Sequence, residues 1–362
     1  MSDGTCKAIY VMSTDSYSGK SALCVGLMMR MRQDGFKIGY MKPISTLERM
    51  SRAGAFDEDA AFMKSTFDLP ESLETINPIA LDQRAVESVL VGKEQPDYAE
   101  LLKATCKKLN EGRDAILVEG AVSLREGYII NMSPPVISDL LPGSSLTISR
   151  YSNDMQIVDD LLTAEYRLGD LLLGGVINAV PWPRLEFVQS IIKPFLEKRG
   201  MPILGVLPRE RLLLSASAGE LAEGLGGEVL CREDKLDELV EHVLVGAMSA
   251  DVALTYFRRK PHKAVITGGD RPDVQLAALD TSTTCLILTG NLHPTPHVLG
   301  RAEEQGVPII LTKCDTLTTV EAVEDTFSKG RFHQKKKVER FAEMINERFD
   351  FRTLYESMDL KK

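Results

Sequence analysis

Histidine is scarce in this 362-residue chain: there are five, and none in the first 241 residues. A stretch that long without an imidazole excludes histidine acid–base and triad chemistry. Any reaction there must work by positioning and charge neutralisation, as phosphoryl transfer does. Basic residues are outnumbered, 43 Lys and Arg against 52 Asp and Glu, for a net charge of −9. That balance lacks the basic face nucleic-acid binding requires, so no nucleic-acid partner is expected. No CxxC pair occurs. The six cysteines, Cys6, Cys24, Cys106, Cys231, Cys285 and Cys314, are scattered, mostly in apolar runs, and are expected as reduced, buried thiols. The close pair His293 and His297 lies in a proline-broken loop without a cysteine, so no zinc site is expected. No apolar run reaches the roughly 18–20 residues of a membrane span, and no basic-then-apolar leader opens the chain. A cytoplasmic protein with no membrane partner is the expectation.

What is present is alternation. Residues 7–12, 36–41, 115–118, 171–177 and 203–207 are short apolar, strand-like runs. Between them, 19–33 and 100–109 carry apolar residues at helical spacing. Strands separated by helices predict a parallel sheet covered on both faces. After Pro208 a second series begins. Strands are expected at 229–231, 263–267, 284–288 and 308–311, and a helix at 235–245. The fold class is therefore α/β, a parallel sheet with helices on both faces followed by a smaller α/β domain. The expected divisions are 1–212, 213–330 and a charged helical tail, 331–362.

Residues 13–21 read Ser-Thr-Asp-Ser-Tyr-Ser-Gly-Lys-Ser and join the first strand to the first helix. Backbone N–H groups at such a helix start cradle phosphates, with the helix dipole behind them. Gly19 permits close approach of the backbone. Lys20 reaches the outer phosphates, and the Ser21 hydroxyl is placed to ligate Mg²⁺. The pattern departs from GxxxxGK[ST] in carrying Thr14 where the first glycine stands. Glu119 ends a buried strand on the edge where open α/β sheets bind ligands, a position suited to metal or water. Lys42, before Pro43, ends the second strand at the same edge. Asp57, Glu58 and Asp59 open a helix, a placement the helix dipole alone also favours.

Together STDSYSGKS, GYMKP, Asp59-Ala60, LVEGA, GGVINAV and GVLPRERLL resemble the dethiobiotin synthetase-like P-loop family, in the version that forms the N-terminal region of long bacterial phosphotransacetylases. AVITGGDRPDVQLAAL and IILTKCDT resemble the DRTGG domain that follows in those proteins. The resemblance implies ATP and Mg²⁺ as ligands. It assigns Ser16, Gly19, Lys20 and Ser21 to phosphate, and Ser21, Asp59 and Glu119 to the metal. It sets Lys42 toward substrate and the γ-phosphate, Asn178 against the adenine edge, and Leu207 and Pro208 beside the base. If the chain is an enzyme, Lys20 and Lys42 are its catalytic cations. Two departures bear on chemistry. Ser13 stands for the glycine of the family's GTD, and Val122-Ser123 for the glycine pair that holds the small substrate. Nucleotide binding is thereby less affected than dethiobiotin synthesis. The phosphotransacetylase catalytic domain is not in the sequence, so acetyl transfer is not expected of it.

In the second domain, Thr267-Gly-Gly-Asp-Arg-Pro-Asp273 follows a strand and precedes a helix, a turn that binds an anion or simply connects. The resemblance implies a regulatory domain, taking a nucleotide or small carboxylate and supporting a homodimer. Lys335, Lys336 and Lys337, beside His333 and Arg340, are expected on the solvated face of a terminal helix. The functional expectation is an ATP–Mg²⁺-binding regulatory protein near acetyl-phosphate metabolism. The alternative is an ATP-dependent ligase that phosphorylates a carboxylate or carbamate.

Overall fold

The computed structural model describes residues 7–46, 48–51, 54–328 and 332–360, with the side chains of 48–51 and 54–56 left aside. Two units separate by their internal contacts, residues 1–209 with 332–362, and residues 210–331. The 331–362 segment, expected as a tail of its own, thus belongs almost entirely with the first unit.

The first unit is built on six strands: β1 (Ala8–Ser13), β2 (Ile38–Met41), β3 (Ala115–Glu119), β4 (Gly143–Arg150), β5 (Leu172–Val180) and β6 (Ile203–Pro208). They lie in the order β6-β5-β4-β1-β3-β2, and every adjacent pair is parallel. All six residues of β1 are buried, as expected of a strand covered on both faces. β1 has β2 and β3 on one side and β4, β5 and β6 on the other, so the strand order reverses at β1. The carboxyl end of β1 is therefore a switch point of the kind at which open α/β sheets hold ligands.

Helix α1 (Lys20–Gln33) follows β1. It buries Ala22 through Met28 and Met31, more than one stripe's worth. A helix apolar on most of its surface must be covered on more than one side, and here the second cover is the C-terminal helix Lys335–Arg348. A Cβ at Gly26 would stand 3.0 Å from Ile345 Cγ2 and 3.2 Å from Phe341 Cδ1, so the glycine allows the close approach. Phe341 and Ile345 are almost fully buried, and each side chain so buried contributes about 1.5–3 kcal/mol. The expectation of a solvated basic face holds for Lys335 and Lys336, which are exposed, and fails for Lys337, which is fully buried. The apolar period of Val338, Phe341 and Ile345 drives this docking and carries Lys337 inward with it.

The main sheet of the second unit has five strands, β7 (Glu228–Cys231), β8 (His242–Val245), β9 (Lys263–Gly268), β10 (Thr283–Thr289) and β11 (Ile309–Leu311). Their order is β7-β11-β10-β9-β8, with β7 alone antiparallel. The helix expected over 235–245 is absent. Leu239–Val240 pairs with Ala216–Ser217, and His242–Val245 forms the edge strand along β9. Leu236, Leu239, Val240, Val243 and Leu244 carry helical spacing, but β-branched residues at a sheet edge gain ladder bonds and the tertiary pairing prevails. Cys24, Cys231, Cys285 and Cys314 are free thiols. Cys106 is disulfide-bonded, which corrects the expectation of six reduced cysteines.

Lys263 opens β9 fully buried, its Nζ donating to Thr281 Oγ1 at 2.8 Å. Burial lowers its pKa from 10.5 to about 8. Between these two values the unfolded chain binds the proton more tightly than the folded one. The second unit is therefore expected to gain stability as pH rises from about 8 to about 10.5. Calorimetric scans across that range should show a rising transition for wild type and a flat one for Lys263→Met. A rise that persists in the variant would assign it to another group.

A candidate phosphate-binding site at the carboxyl edge of the first sheet

The turn between β1 and α1 is shaped by one glycine and secured by neighbouring strands. Gly19 has φ +100°, in the left-handed region, and hands the chain into α1. Tyr17 also has positive φ, +53°, and is exposed. Strain in a non-glycine residue at this point of a loop is typical of a ligand cradle. Thr14, in place of the first glycine, needs no unusual backbone. It is buried, and its Oγ1 shares a hydrogen bond with Ser149 Oγ at 2.7 Å. The hydroxyl is thus turned to β4, which is why the substitution is tolerated. Ser18 Oγ donates to Asp15 O at 2.6 Å, and Ser16 N donates to Asp15 Oδ1 at 2.8 Å with the Ser16 side chain exposed.

Five residues of the expected set converge beside this turn. Ser21 Oγ donates to Glu119 Oε1 at 2.8 Å. Lys42 Nζ lies 2.9 Å from Asp57 Oδ1, 2.8 Å from Asp59 Oδ2 and 4.0 Å from Glu119 Oε1. Lys20 Nζ donates to Val122 O at 3.2 Å. Burial pushes the Lys20 pKa down, partly offset by Glu119. Burial pushes the Glu119 carboxyl up, against the pull of Lys42 and Lys20. Lys42 is held above its ordinary value because Glu119, Asp59 and Asp57 outweigh its burial. Asp59 is half-buried, and the hydrogen bonds from His333 and Lys42 prevail over its desolvation and hold it low.

Four participants escaped sequence reading. Tyr40 Oη donates to Glu119 Oε2 at 2.9 Å, so both carboxylate oxygens are fixed. Asp57, expected only as a helix-opening acid, caps the helix Glu58–Thr66 (α2) through Ala60 N and also takes Lys42 and the Ser45 hydroxyl. Glu126 Oε2 accepts from Val122 N at 3.0 Å. His333 corrects the expectation that histidine plays no part in the first domain. Its Nε2 lies 3.3 Å from Asp59 Oδ1, and its ring stacks on Phe62 with centroids 4.4 Å apart. Nothing in local spacing connects residue 333 to residue 59. The aromatic Phe62, one turn beyond Asp59, was the one available signal.

The nucleoside-side residues are placed differently from the implied roles. Asn178 Nδ2 donates to Ser18 O at 2.9 Å, and Oδ1 accepts from Ala179 N at 2.8 Å. The amide therefore braces the phosphate turn, with one N–H left for a ligand. Leu207 has no exposed surface and Pro208 is buried in β6, so neither presents a face to a base as the side chains stand.

Ser21, Glu119 and Asp59 supply hard oxygen donors around one ammonium, which is the donor chemistry Mg²⁺ takes. Among the described residues no three His, Cys, Asp or Glu side chains group closely enough to hold a metal by themselves. Mg²⁺ would rest on Ser21, one or two carboxylates and phosphate oxygens of the ligand, as this ion commonly does.

A methyl at Gly19 would meet Asn178 Nδ2 at 2.4 Å and would also oppose the positive φ. Gly19→Ala is expected to cost about 1–3 kcal/mol and to break the Asn178 brace. Thermal melting of the variant beside Asn178→Ala checks it, since the two losses should overlap rather than add.

Two sequence profiles match the chain, that of the AAA domain over residues 7–217 and that of the DRTGG domain over residues 220–326. The phosphate acetyltransferase of Nitratidesulfovibrio vulgaris is 27% identical over 344 residues, 89% of this chain and 47% of that protein. The ATP-dependent dethiobiotin synthetase BioD of Methanococcus vannielii is 27% identical over 210 residues, 55% of this chain and 92% of that protein. The chain spans about half the length of the phosphate acetyltransferases it matches. Among solved structures, the CBS and DRTGG domains of the regulatory region of Clostridium perfringens pyrophosphatase align with 43% of this chain and 76% of that one, at 17% identity and a TM-score of 0.29, too loose a superposition to carry an argument. Among the described residues no helix is long and apolar enough to cross a membrane. With the profile match running from β1 through β6 and the phosphate turn at its start, the chain belongs to the AAA domain family in its dethiobiotin synthetase-like P-loop form, followed by a DRTGG domain.

Proposed function

We propose that this chain binds ATP with Mg²⁺ on the turn 14–19 and serves as a nucleotide-dependent regulator in acetyl-phosphate metabolism, with the DRTGG domain taking a second ligand. The observation that carries the nucleotide reading is the convergence of Lys20, Ser21, Lys42, Asp59 and Glu119 beside a glycine-shaped helix start. Cations and N–H groups there meet phosphate charge, and paired acids with a hydroxyl suit its metal. The metabolic setting rests on the phosphate acetyltransferase relatives. Regulation is favoured over ligation by the loop 120–126. Val122 N is taken by Glu126, and Val122 O by Ser13 Oγ (2.8 Å) and Lys20. At the segment that holds a small substrate in dethiobiotin synthetases, both backbone polar groups of Val122 are thus already taken.

The test is a calorimetric titration with ATP, GTP and CTP, with and without Mg²⁺, beside melting curves. ATP–Mg²⁺ at a hundred times its Kd should stabilise the protein by about 2.7 kcal/mol. No heat and no shift in melting would reject nucleotide binding. Rapid single-turnover phosphorylation of a carboxylate or carbamate would reject regulation in favour of the ligase.

A further inference from the structure

Two arginines at the same sheet edge have no role in the site as described. Arg150 ends β4 and pairs in the ladder with Asn178 of β5. Paired residues of adjacent strands project to the same face, as do residues two apart on one strand. Arg150 therefore shares its face with Asn178 and Ile148. That is the face of the phosphate turn, because a Cβ at Gly19 would meet Asn178 Nδ2 at 2.4 Å and Ile148 Cδ1 at 3.5 Å. Arg209 follows β6 and is anchored by its N–H donating to Val180 O at 2.7 Å, two residues beyond Asn178. The Arg150 side chain is half-buried, and neither guanidinium makes a hydrogen bond or ion pair among the described residues.

We propose that Arg150 and Arg209 form an oxyanion subsite next to the phosphate turn, on the Asn178 side, which takes a phosphate group other than those held by Lys20. Burial and the neighbouring Arg209 charge both lower the Arg150 pKa, so the two cations repel each other and an anion between them relieves the repulsion. Guanidinium forks match tetrahedral oxyanions bidentately. The phosphate has two sources, a group carried on the ribose of the nucleotide at the turn, or a separate phosphate species bound beside it. The position next to the turn rests on the nucleotide reading, whereas the anion chemistry of the pair does not.

The full chain is titrated with ATP–Mg²⁺, with its 3′-phosphorylated analogue, and with inorganic phosphate both alone and after saturation by ATP–Mg²⁺. A ribose phosphate that binds here makes the analogue at least about tenfold tighter than ATP. A separate phosphate gives saturable phosphate binding instead. In either case Arg150→Gln and Arg209→Gln should remove the effect while ATP affinity stays within about twofold, and Arg150→Lys should recover only part of it, because a point charge lacks the fork. No preference for the analogue together with no saturable phosphate binding overturns the subsite, as does an effect that survives both glutamine variants. If ATP itself does not bind, phosphate titration of the free protein still judges the arginines, so failure of the nucleotide reading and failure of the subsite are distinguishable.

Discussion

Replacing Lys20 with alanine is expected to lower affinity for ATP–Mg²⁺ by about a hundredfold or more, while leaving the melting temperature of the ligand-free protein near that of wild type. Both halves follow from the lysine's surroundings. Among the described residues its ammonium makes a single hydrogen bond, to Val122 O at 3.2 Å, and burial opposes its charged form. Removing it therefore relieves about as much desolvation as it forfeits in attraction to Glu119. Against a triphosphate the balance reverses, because the ligand supplies the counter-charge the site lacks. Loss of one charge-assisted contact in a water-poor site costs about 3 kcal/mol, which is more than two decades of affinity. Calorimetric titration gives the affinity, and melting curves with and without ATP–Mg²⁺ give the stability. Retention of wild-type affinity in Lys20→Ala would remove the turn from any nucleotide site. Lys20→Arg should fall between, since a planar fork replaces a point charge that must reach along the phosphates.

The sheet and its phosphate turn were legible because their signals are local. An apolar run, a Gly-Lys-Ser and a largely apolar helix-forming stretch lie within the first thirty-odd residues. Glu119 was legible for a similar reason, being an acid at the end of a buried strand. The partners that fix these groups were not. Tyr40 reads as an ordinary strand aromatic until its ladder position across β3 brings its hydroxyl to Glu119. Asp57 reads as a helix-opening acid and is one, yet the same carboxylate also holds Lys42. His333 lies 274 residues from Asp59 and reaches it only because the C-terminal helix docks on α1. The 235–245 segment failed for the converse reason. Its local period is helical, and a strand forms because β9 offers a ladder that spacing along the chain does not reveal. Asn178 was expected at the adenine edge, but the engagement of its amide with Ser18 is visible only in three dimensions.

Lys42→Ala is expected to have the opposite profile from Lys20→Ala, a large loss of stability in the absence of ligand. Lys42 Nζ stands among Asp57, Asp59 and Glu119, with the Asp57 and Glu119 side chains 2% and 1% exposed. Removing one member of a buried ion cluster leaves the rest uncompensated, at a cost of about 3–5 kcal/mol. Water cannot readily take the lysine's place, because Asp57 is already committed to Ala60 N and Ser45 and Glu119 to Ser21 and Tyr40. Trp182, the single tryptophan, lies in the first unit, so urea unfolding followed by its fluorescence reports this unit without interference from the second. Asp57→Asn in the Lys42→Ala background removes one of the orphaned charges and should recover part of the loss, a coupling of about 1–3 kcal/mol in a double-mutant cycle. The cycle separates electrostatics from packing. If truncation of the lysine stem were the cause, Lys42→Met would restore stability without the second substitution. If the charge is the cause, Lys42→Met stays as unstable as Lys42→Ala, and only neutralising Asp57 helps.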